Sequence, residues 1–143
     1  MEFSRGSHCV YYVRYHLVFV TKYRRKALKL GMGAYLLKTF EAVSRRYPEL
    51  VIYESNTDED HVHLLVSVPP AMSLAHAVNL LKTNSAQAMR KKFPFLKQMY
   101  CSDDVALWSS GYFASTIGAD EAMIRRYIEH QGEEDRGQAK LVL

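Results

Sequence analysis

Cysteine, proline and long apolar runs are all scarce in this chain of 143 residues. The two cysteines, Cys9 and Cys101, have neither the spacing of a zinc site nor the number that a disulfide framework needs. The longest weakly polar run, from Leu64 to Ala75, contains two of the four prolines and is too short to cross a bilayer. No signal peptide opens the sequence, so we expect a cytoplasmic protein with no membrane partner.

Internal repeats, low-complexity stretches and linkers rich in Pro, Gly or Ser are also absent from the sequence. A chain of this length is typical of one domain. Its composition, 48% hydrophobic and 24% charged, excludes intrinsic disorder and a coiled coil. We therefore predict a single domain over residues 1–143, with flexible tails at 1–7 and about 133–143.

Charge is unevenly distributed along the chain. Residues 1–50 contain ten Lys or Arg and three Asp or Glu, a net charge of +7, whereas residues 101–143 contain four and eight, a net charge of −4. This uneven distribution of charge, with a pI near 9.1, favours a polyanionic partner that binds mainly to the first half of the chain. An ordinary basic surface would have the same composition.

Hydrophobic periodicity predicts the order strand, helix, two strands, helix, strand, helix. We place the strands at 10–21, 50–55, 61–68 and 107–117, and the helices at about 27–47, 73–92 and 120–131. A βαββαβ order implies an α+β, ferredoxin-like or RRM-like sandwich, with an antiparallel sheet and helices on one face. The other face would be free for a ligand, and an additional C-terminal helix follows the last strand.

Two histidines stand at i and i+2 in the predicted third strand, in the run Asp60-His61-Val62-His63. Because alternate side chains of a strand point to the same face, both imidazoles can approach one metal ion while Val62 joins the core. His16 would lie nearby if its strand face is that of His61. Such a triplet also arises by chance, as two ordinary histidines of a half-exposed strand.

The last predicted helix carries Tyr127 and Gln131, which are four residues apart and so share one helix face. Gln131 would complete a site with His61 and His63 whose nitrogen and oxygen ligands suit Mg²⁺ or Mn²⁺ better than structural zinc. A divalent ion would polarise a phosphodiester and assist attack by the tyrosine hydroxyl, which is a weak nucleophile by itself. Ordinary amphipathic packing of the helix is the alternative.

Four motifs follow one another in a family-like order and spacing. They are the run from Tyr15 to Arg25 (YHLVFVTKYRR), the triplet His61-Val-His63, Trp108 followed by GYFASTIG at 111–118, and Tyr127 with Gln131. Together they resemble the HUH single-tyrosine transposases (TnpA type) of small insertion sequences that transpose as single-stranded DNA. The resemblance covers about residues 8–132.

The resemblance implies a metal-dependent transposase that cleaves and rejoins single-stranded DNA at hairpin-bearing element ends. It implies that Tyr127 forms a 5′-phosphotyrosine, that His61, His63 and Gln131 bind Mg²⁺ or Mn²⁺, and that no nucleotide cofactor is needed. It further implies a homodimer in which Tyr127 can complete the partner's site. The candidate DNA phosphate contacts are Arg14, Lys22, Arg24, Arg25 and Lys26.

Three other interpretations stay open at this point. An RRM-like nucleic-acid-binding module without catalysis has the same element order, but Tyr12 and Tyr15 fall on opposite strand faces and the RNP signature is absent. A histidine-triad hydrolase needs a third histidine where Leu65 stands. A plasmid replication or mobilisation nuclease of the wider HUH class would share the chemistry, but its usual extra histidine or helicase domain is not visible.

Overall fold

The computed structural model describes residues 3–6, 9–100, 106–116 and 121–137, which form six strands and four α-helices. The strands are β1 (Ser4–Arg5), β2 (Val10–Tyr11), β3 (Arg14–Val20), β4 (Val51–Thr57), β5 (His61–Ser67) and β6 (Phe113–Ser115). The helices are α1 (Met32–Arg46), α2 (Leu74–Lys92), α3 (Phe95–Met99) and α4 (Glu121–Asp135). A 3₁₀ turn at Lys22–Arg24 follows β3.

The main sheet is antiparallel and has the strand order β4-β5-β3-β6. The central strand β3 pairs with β5 along its whole length and with β6 over three residues. A separate two-stranded sheet pairs β1 with β2, so residues 4 and 5 belong to a strand rather than to the expected tail. The predicted α+β fold with an antiparallel sheet is confirmed.

The main core lies between one face of the sheet and the helices α1 and α2. Leu17 and Phe19 of β3 and Leu64 of β5 are fully buried there, as their alternation predicts. Phe40 of α1 and Leu81 of α2 are fully buried in the same cluster. Each such side chain contributes about 1.5–3 kcal/mol, and a one-residue slip would expose a whole row of them, so this face sets the strand register.

Helix α4 covers the part of the opposite sheet face over β3, so the prediction that this face is free is wrong there. Ile128 of α4 packs on Val18 and Val20 of β3, whose side chains are 0% and 1% exposed. His16, on the same strand face, stays half-buried. Alternation identifies residues that can be buried, but it does not show which distant helix returns to cover them.

The first elements begin and end differently from their predicted bounds. The strand predicted at 10–21 is divided into β2 and β3. Helix α1 begins at Met32 rather than near residue 27, because Gly31 has a φ of 88°, a left-handed conformation outside the helix. Ser73 caps α2 by accepting a hydrogen bond from the His76 backbone N–H, as predicted.

The later elements also differ from the prediction. The prediction did not include α3. The strand predicted at 107–117 is described only as β6, which follows an isolated bridge between Trp108 and Thr21. Helix α4 continues past Gln131 to Asp135, so residues 133–135, expected in a tail, are helical. The predicted strand end at 117 and helix start at 120 lie outside the described residues. No described helix is long and apolar enough to cross a membrane.

Candidate active site

His61 and His63 project from the same face of β5, while Val62 and Leu64 between and beyond them are buried in the main core. The His61 Nδ1 lies 2.9 Å from Asp60 Oδ1. The hydrogen bond from His61, with a smaller effect of Arg24, holds the pKa of Asp60 below its ordinary value. An ionised Asp60 that accepts from Nδ1 leaves the lone pair of the His61 Nε2 available to a metal ion.

His63 contacts a third histidine, because the sheet places His16 on the same face of β3. The His16 Nδ1 and the His63 Nε2 are 3.1 Å apart. Burial, followed by the charge of His16, lowers the pKa of His63 and favours its neutral form, which is the form that binds metals. No group of three or more His, Cys, Asp or Glu side chains in the described part of the chain is arranged to hold a metal.

A cavity of ≈ 700 Å³ opens beside the histidine pair. One wall is the turn between β4 and β5 with His61 and His63, and the other is the side of α4 that carries Arg125 and Glu129. Charges of both signs line it, and Arg24 pairs with Asp60 at 3.1 Å. Tyr127 and Gln131 do not line this cavity.

Tyr127 packs over β6 instead. Its ring centroid is 5.8 Å from that of Phe113, and a Cβ added at Gly111 would lie 4.0 Å from its hydroxyl oxygen. Phe113 pairs with Val18 on one side of β3, and His63 pairs with Val18 on the other. Adjacent strands are about 4.8 Å apart, so two strand spacings, about 10 Å, separate the Phe113 and His63 backbones.

The environment of Tyr127 opposes ionisation of its hydroxyl. Burial has the largest effect, and the charges of Asp135 and Glu134 add to it, so the pKa of Tyr127 is raised well above its ordinary value of 10.0. A tyrosine in this position is protonated at neutral pH. Attack by its oxygen therefore requires either a base or a different environment.

Gln131 is 5% exposed, and its Nε2 lies 3.4 Å from the Oδ1 of Asp135. The structure thus brings together His61, His63 and the neighbouring His16. It places Gln131 and Tyr127 away from the histidine cavity within the single chain.

Asp135 is a residue that sequence reasoning missed, and it joins three separate segments. Its side chain is 2% exposed. It accepts hydrogen bonds from the backbone N–H of Tyr23 (2.9 Å), the hydroxyl of Ser109 (2.7 Å), the ammonium of Lys22 (3.4 Å) and the amide of Gln131 (3.4 Å). Only the i, i+4 spacing from Gln131 could have indicated it in the sequence.

The basic loop, residues 22–26 (KYRRK), has an unusual backbone. Tyr23 and Arg24 have φ values of 61° and 54°, in the left-handed region that costs non-glycine residues about 1–2 kcal/mol each. The hydrogen bond from Tyr23 to Asp135 stabilises this conformation. Gly132 allows Arg24 to lie against α4, since a Cβ there would be 2.6 Å from the Arg24 Cδ.

The five candidate phosphate contacts fall in two places. Arg14, at the start of β3, has its guanidinium 4.7 Å from the Tyr12 ring centroid and 3.9 Å from that of Tyr53. The others follow the end of β3, about 20 Å away along the strand. Of these, Lys22 pairs with Asp135, Arg24 with Asp60 and Lys26 with Glu59, and Arg25 donates to the Met99 carbonyl.

Comparison with known proteins identifies the family. The family model described as "Transposase IS200 like" matches residues 9–131. This chain belongs to the IS200-like transposase family. The transposase for insertion sequence element IS200 of Salmonella typhimurium is 34% identical to it over 134 residues, which are 91% of this chain and 84% of the relative. The ISDra2 transposase TnpA of Deinococcus radiodurans is 32% identical over 136 residues, 94% and 95% of the two chains.

One solved structure of a related protein agrees with this membership, and a second shares the fold. A crystal structure of a putative transposase from Deinococcus radiodurans superposes with a TM-score of 0.78 at 31% identity, and covers 89% of this chain and 96% of that one. A REP-associated tyrosine transposase bound to a REP hairpin superposes with a TM-score of 0.53 over 94% of this chain and 76% of that one. At 14% identity, that second similarity shows the fold alone.

Replacing Asp135 by Ala should release α4 from the basic loop of this IS200-like transposase. Four donors would lose a buried acceptor, so we expect a loss of about 2–4 kcal/mol in the free energy of unfolding. Urea denaturation measures that loss, and hydrogen exchange should show faster opening of α4. Glu133→Ala, which removes an exposed carboxylate from the same helix, is the matched control. Equal stabilities of the two variants would contradict the anchoring role.

Proposed function

We propose that this IS200-like transposase cleaves and rejoins single-stranded DNA through a covalent bond between Tyr127 and a 5′-phosphate. The observation that supports this most strongly is the shared sheet face. The histidine pair on β5 and Tyr127 over β6 lie on the same face, and the basic loop that follows β3 reaches both the cavity and α4.

The proposed cleavage is a transesterification. The Tyr127 oxygen attacks the phosphorus and loses its proton to a base, while the bond from phosphorus to the 3′-oxygen breaks and that oxygen takes up a proton. The phosphotyrosine keeps the energy of the broken ester bond. Attack by a new 3′-hydroxyl then joins the strands and regenerates the tyrosine, so no nucleotide cofactor is required.

A divalent metal ion, Mg²⁺ or Mn²⁺, belongs to this proposal. His61 and His63 fit it, because Asp60 hydrogen-bonds to His61 and partial burial lowers the pKa of His63, which favours its neutral form. Gln131 is the proposed third ligand, and it is held at Asp135 rather than at the histidines in the single chain. When bound, the ion would polarise the phosphodiester and offset the charge that builds up on its oxygens.

We further propose that the protein acts as a homodimer in which Tyr127 serves the partner's histidines. Within one chain Tyr127 is separated from His63 by β3 and is half-buried in surroundings that oppose its ionisation. Both features support an active arrangement in which α4 leaves its present position. The proposed substrate is DNA with hairpin ends, and a REP hairpin is bound by the more distant tyrosine transposase.

Tyr127→Phe should abolish a covalent product, because phenylalanine has no oxygen to attack phosphorus. The assay uses labelled single-stranded hairpin DNA from the flanks of the gene, with Mg²⁺, resolved under denaturing conditions. Tyr47→Phe, at the end of α1, makes the same change away from the site. DNA binding should persist in both variants. A wild-type protein that binds DNA without forming an adduct would support the RRM-like binding module instead.

His61→Ala should weaken metal binding by more than about tenfold, because a ligand and its Asp60-oriented ring are lost. Titration with Mn²⁺ followed by calorimetry measures this without DNA or activity. EDTA should also prevent adduct formation by the wild type. The exposed His76 on α2 offers a matched His→Ala control. An unchanged Mn²⁺ affinity in His61→Ala would reject this metal site.

Mixing the two inactive variants tests the partner arrangement. A heterodimer of Tyr127→Phe with His61→Ala contains one site with intact histidines from one subunit and an intact tyrosine from the other. Random exchange between two-fold dimers should then restore about a quarter of the wild-type sites. Adduct formation in the mixture measures this, and no recovery after exchange would show that Tyr127 acts with its own histidines.

A further inference from the structure

A second groove, separate from the histidine cavity, lies between α2 and the segment 106–110, beside the basic loop. Its volume is ≈ 660 Å³, within the usual range of ligand sites. Lys22, Lys82 and Arg90 line it, and none of the described lining residues is acidic, although the buried Asp135 behind the lining pairs with Lys22 at 3.4 Å. The histidine cavity is different, since acidic and basic residues line it in similar numbers.

Lys82 is held in place at the floor of the groove. Its ammonium donates to the carbonyl oxygens of Ser109 (2.7 Å) and Gly111 (2.9 Å), which leaves one of its three N–H groups for a ligand. Burial lowers the pKa of Lys82 to about 8, and an anion in contact with it would favour the charged form. The groove therefore contains a positioned cation with unused donor capacity.

Neutral polar groups continue the cationic lining. Asn79, Thr83 and Gln87 are spaced four residues apart on α2, so they follow one helix face, and all three are exposed. Amide and hydroxyl side chains of this kind commonly donate to phosphate and sugar oxygens in DNA complexes. Cations interspersed with neutral donors, without carboxylates, are typical of a surface that follows a nucleic acid backbone.

The groove is also physically connected to the proposed nucleophile. Gly111, whose carbonyl accepts from Lys82, lies near Tyr127, since a Cβ added at Gly111 would be 4.0 Å from the Tyr127 hydroxyl oxygen. Ser109, in the same segment, donates to Asp135 of α4. One short segment thus borders the groove and supports the helix that carries Tyr127.

We propose that this groove binds the phosphodiester backbone of a single DNA strand leading to Tyr127. The proposal rests on the proposed function, and it adds a strand-binding site on α2 to the basic loop candidates. Lys82 and Arg90 contact phosphates there, while Asn79, Thr83 and Gln87 contact the backbone without selecting a sequence.

Gln87→Glu tests the groove because it adds one carboxylate at an exposed position and removes no structural contact of Lys82. We expect it to raise the Kd for a labelled oligothymidine about five- to tenfold at low salt. The matched control is Gln98→Glu, the same change at an exposed position of α3 outside the groove, which should leave the Kd unchanged. Equal Kd values for the two variants would overturn the proposal.

Lys82→Gln provides a second measurement. If Lys82 contacts one phosphate, the slope of log K against log salt should become shallower by about 0.7 for a single strand. Thermal unfolding shows whether Lys82→Gln is folded. If it is not, the Kd of Gln87→Glu alone tests the proposal. The adduct assay on wild-type protein separates the groove proposal from the proposed transesterification. If the wild type forms an adduct but the groove variants bind DNA as the wild type does, only the groove proposal is rejected. If the wild type forms no adduct, the transesterification itself is rejected.

Discussion

The carboxylate of Asp135, almost completely withdrawn from solvent, accepts hydrogen bonds from the basic loop, from the segment before β6 and from its own helix. A buried carboxylate is costly without such donors, so these segments stabilise one another only when all are in place. The left-handed backbone at Tyr23 depends on this arrangement, and so does the position of Tyr127 on α4. The basic loop, the segment before β6 and the helix that carries Tyr127 are therefore held together by the Asp135 carboxylate.

The sheet supplies the second constraint, because both faces of β3 are covered. One face meets α1 and α2 in the main core, and the other meets α4 through Val18, Val20 and Ile128. Strand β3 therefore lies between His63 of β5 and Phe113 of β6, the residue on which Tyr127 packs. The proposed chemistry needs these groups together, which makes the mobility or exchange of α4 its central physical requirement.

Two cationic regions with different linings accompany this arrangement. The cavity at the histidines has carboxylates among its basic groups, which suits a site that binds a cation as well as a phosphate. The groove at Lys82 has no carboxylate among its described lining residues, which suits a polyanion, although Lys22 in that lining pairs with the buried Asp135. Charge counting along the chain indicated the basic first half, but Lys82 and Arg90 lie in the second.

The sequence by itself determined what depends on neighbours along the chain. The i, i+2 spacing places His61 and His63 on one strand face, the alternation of Leu17 and Phe19 places them in the core, and Ser73 caps α2. These follow from the fixed periods of strands and helices, and the motif order was sufficient to identify the family. Only the tertiary structure decided that α4 covers the second sheet face, that Asp135 anchors Tyr23 and Ser109, and that Tyr127 lies apart from the histidines. Such contacts join residues up to 113 positions apart, and their energy comes from packing and burial that no local pattern contains.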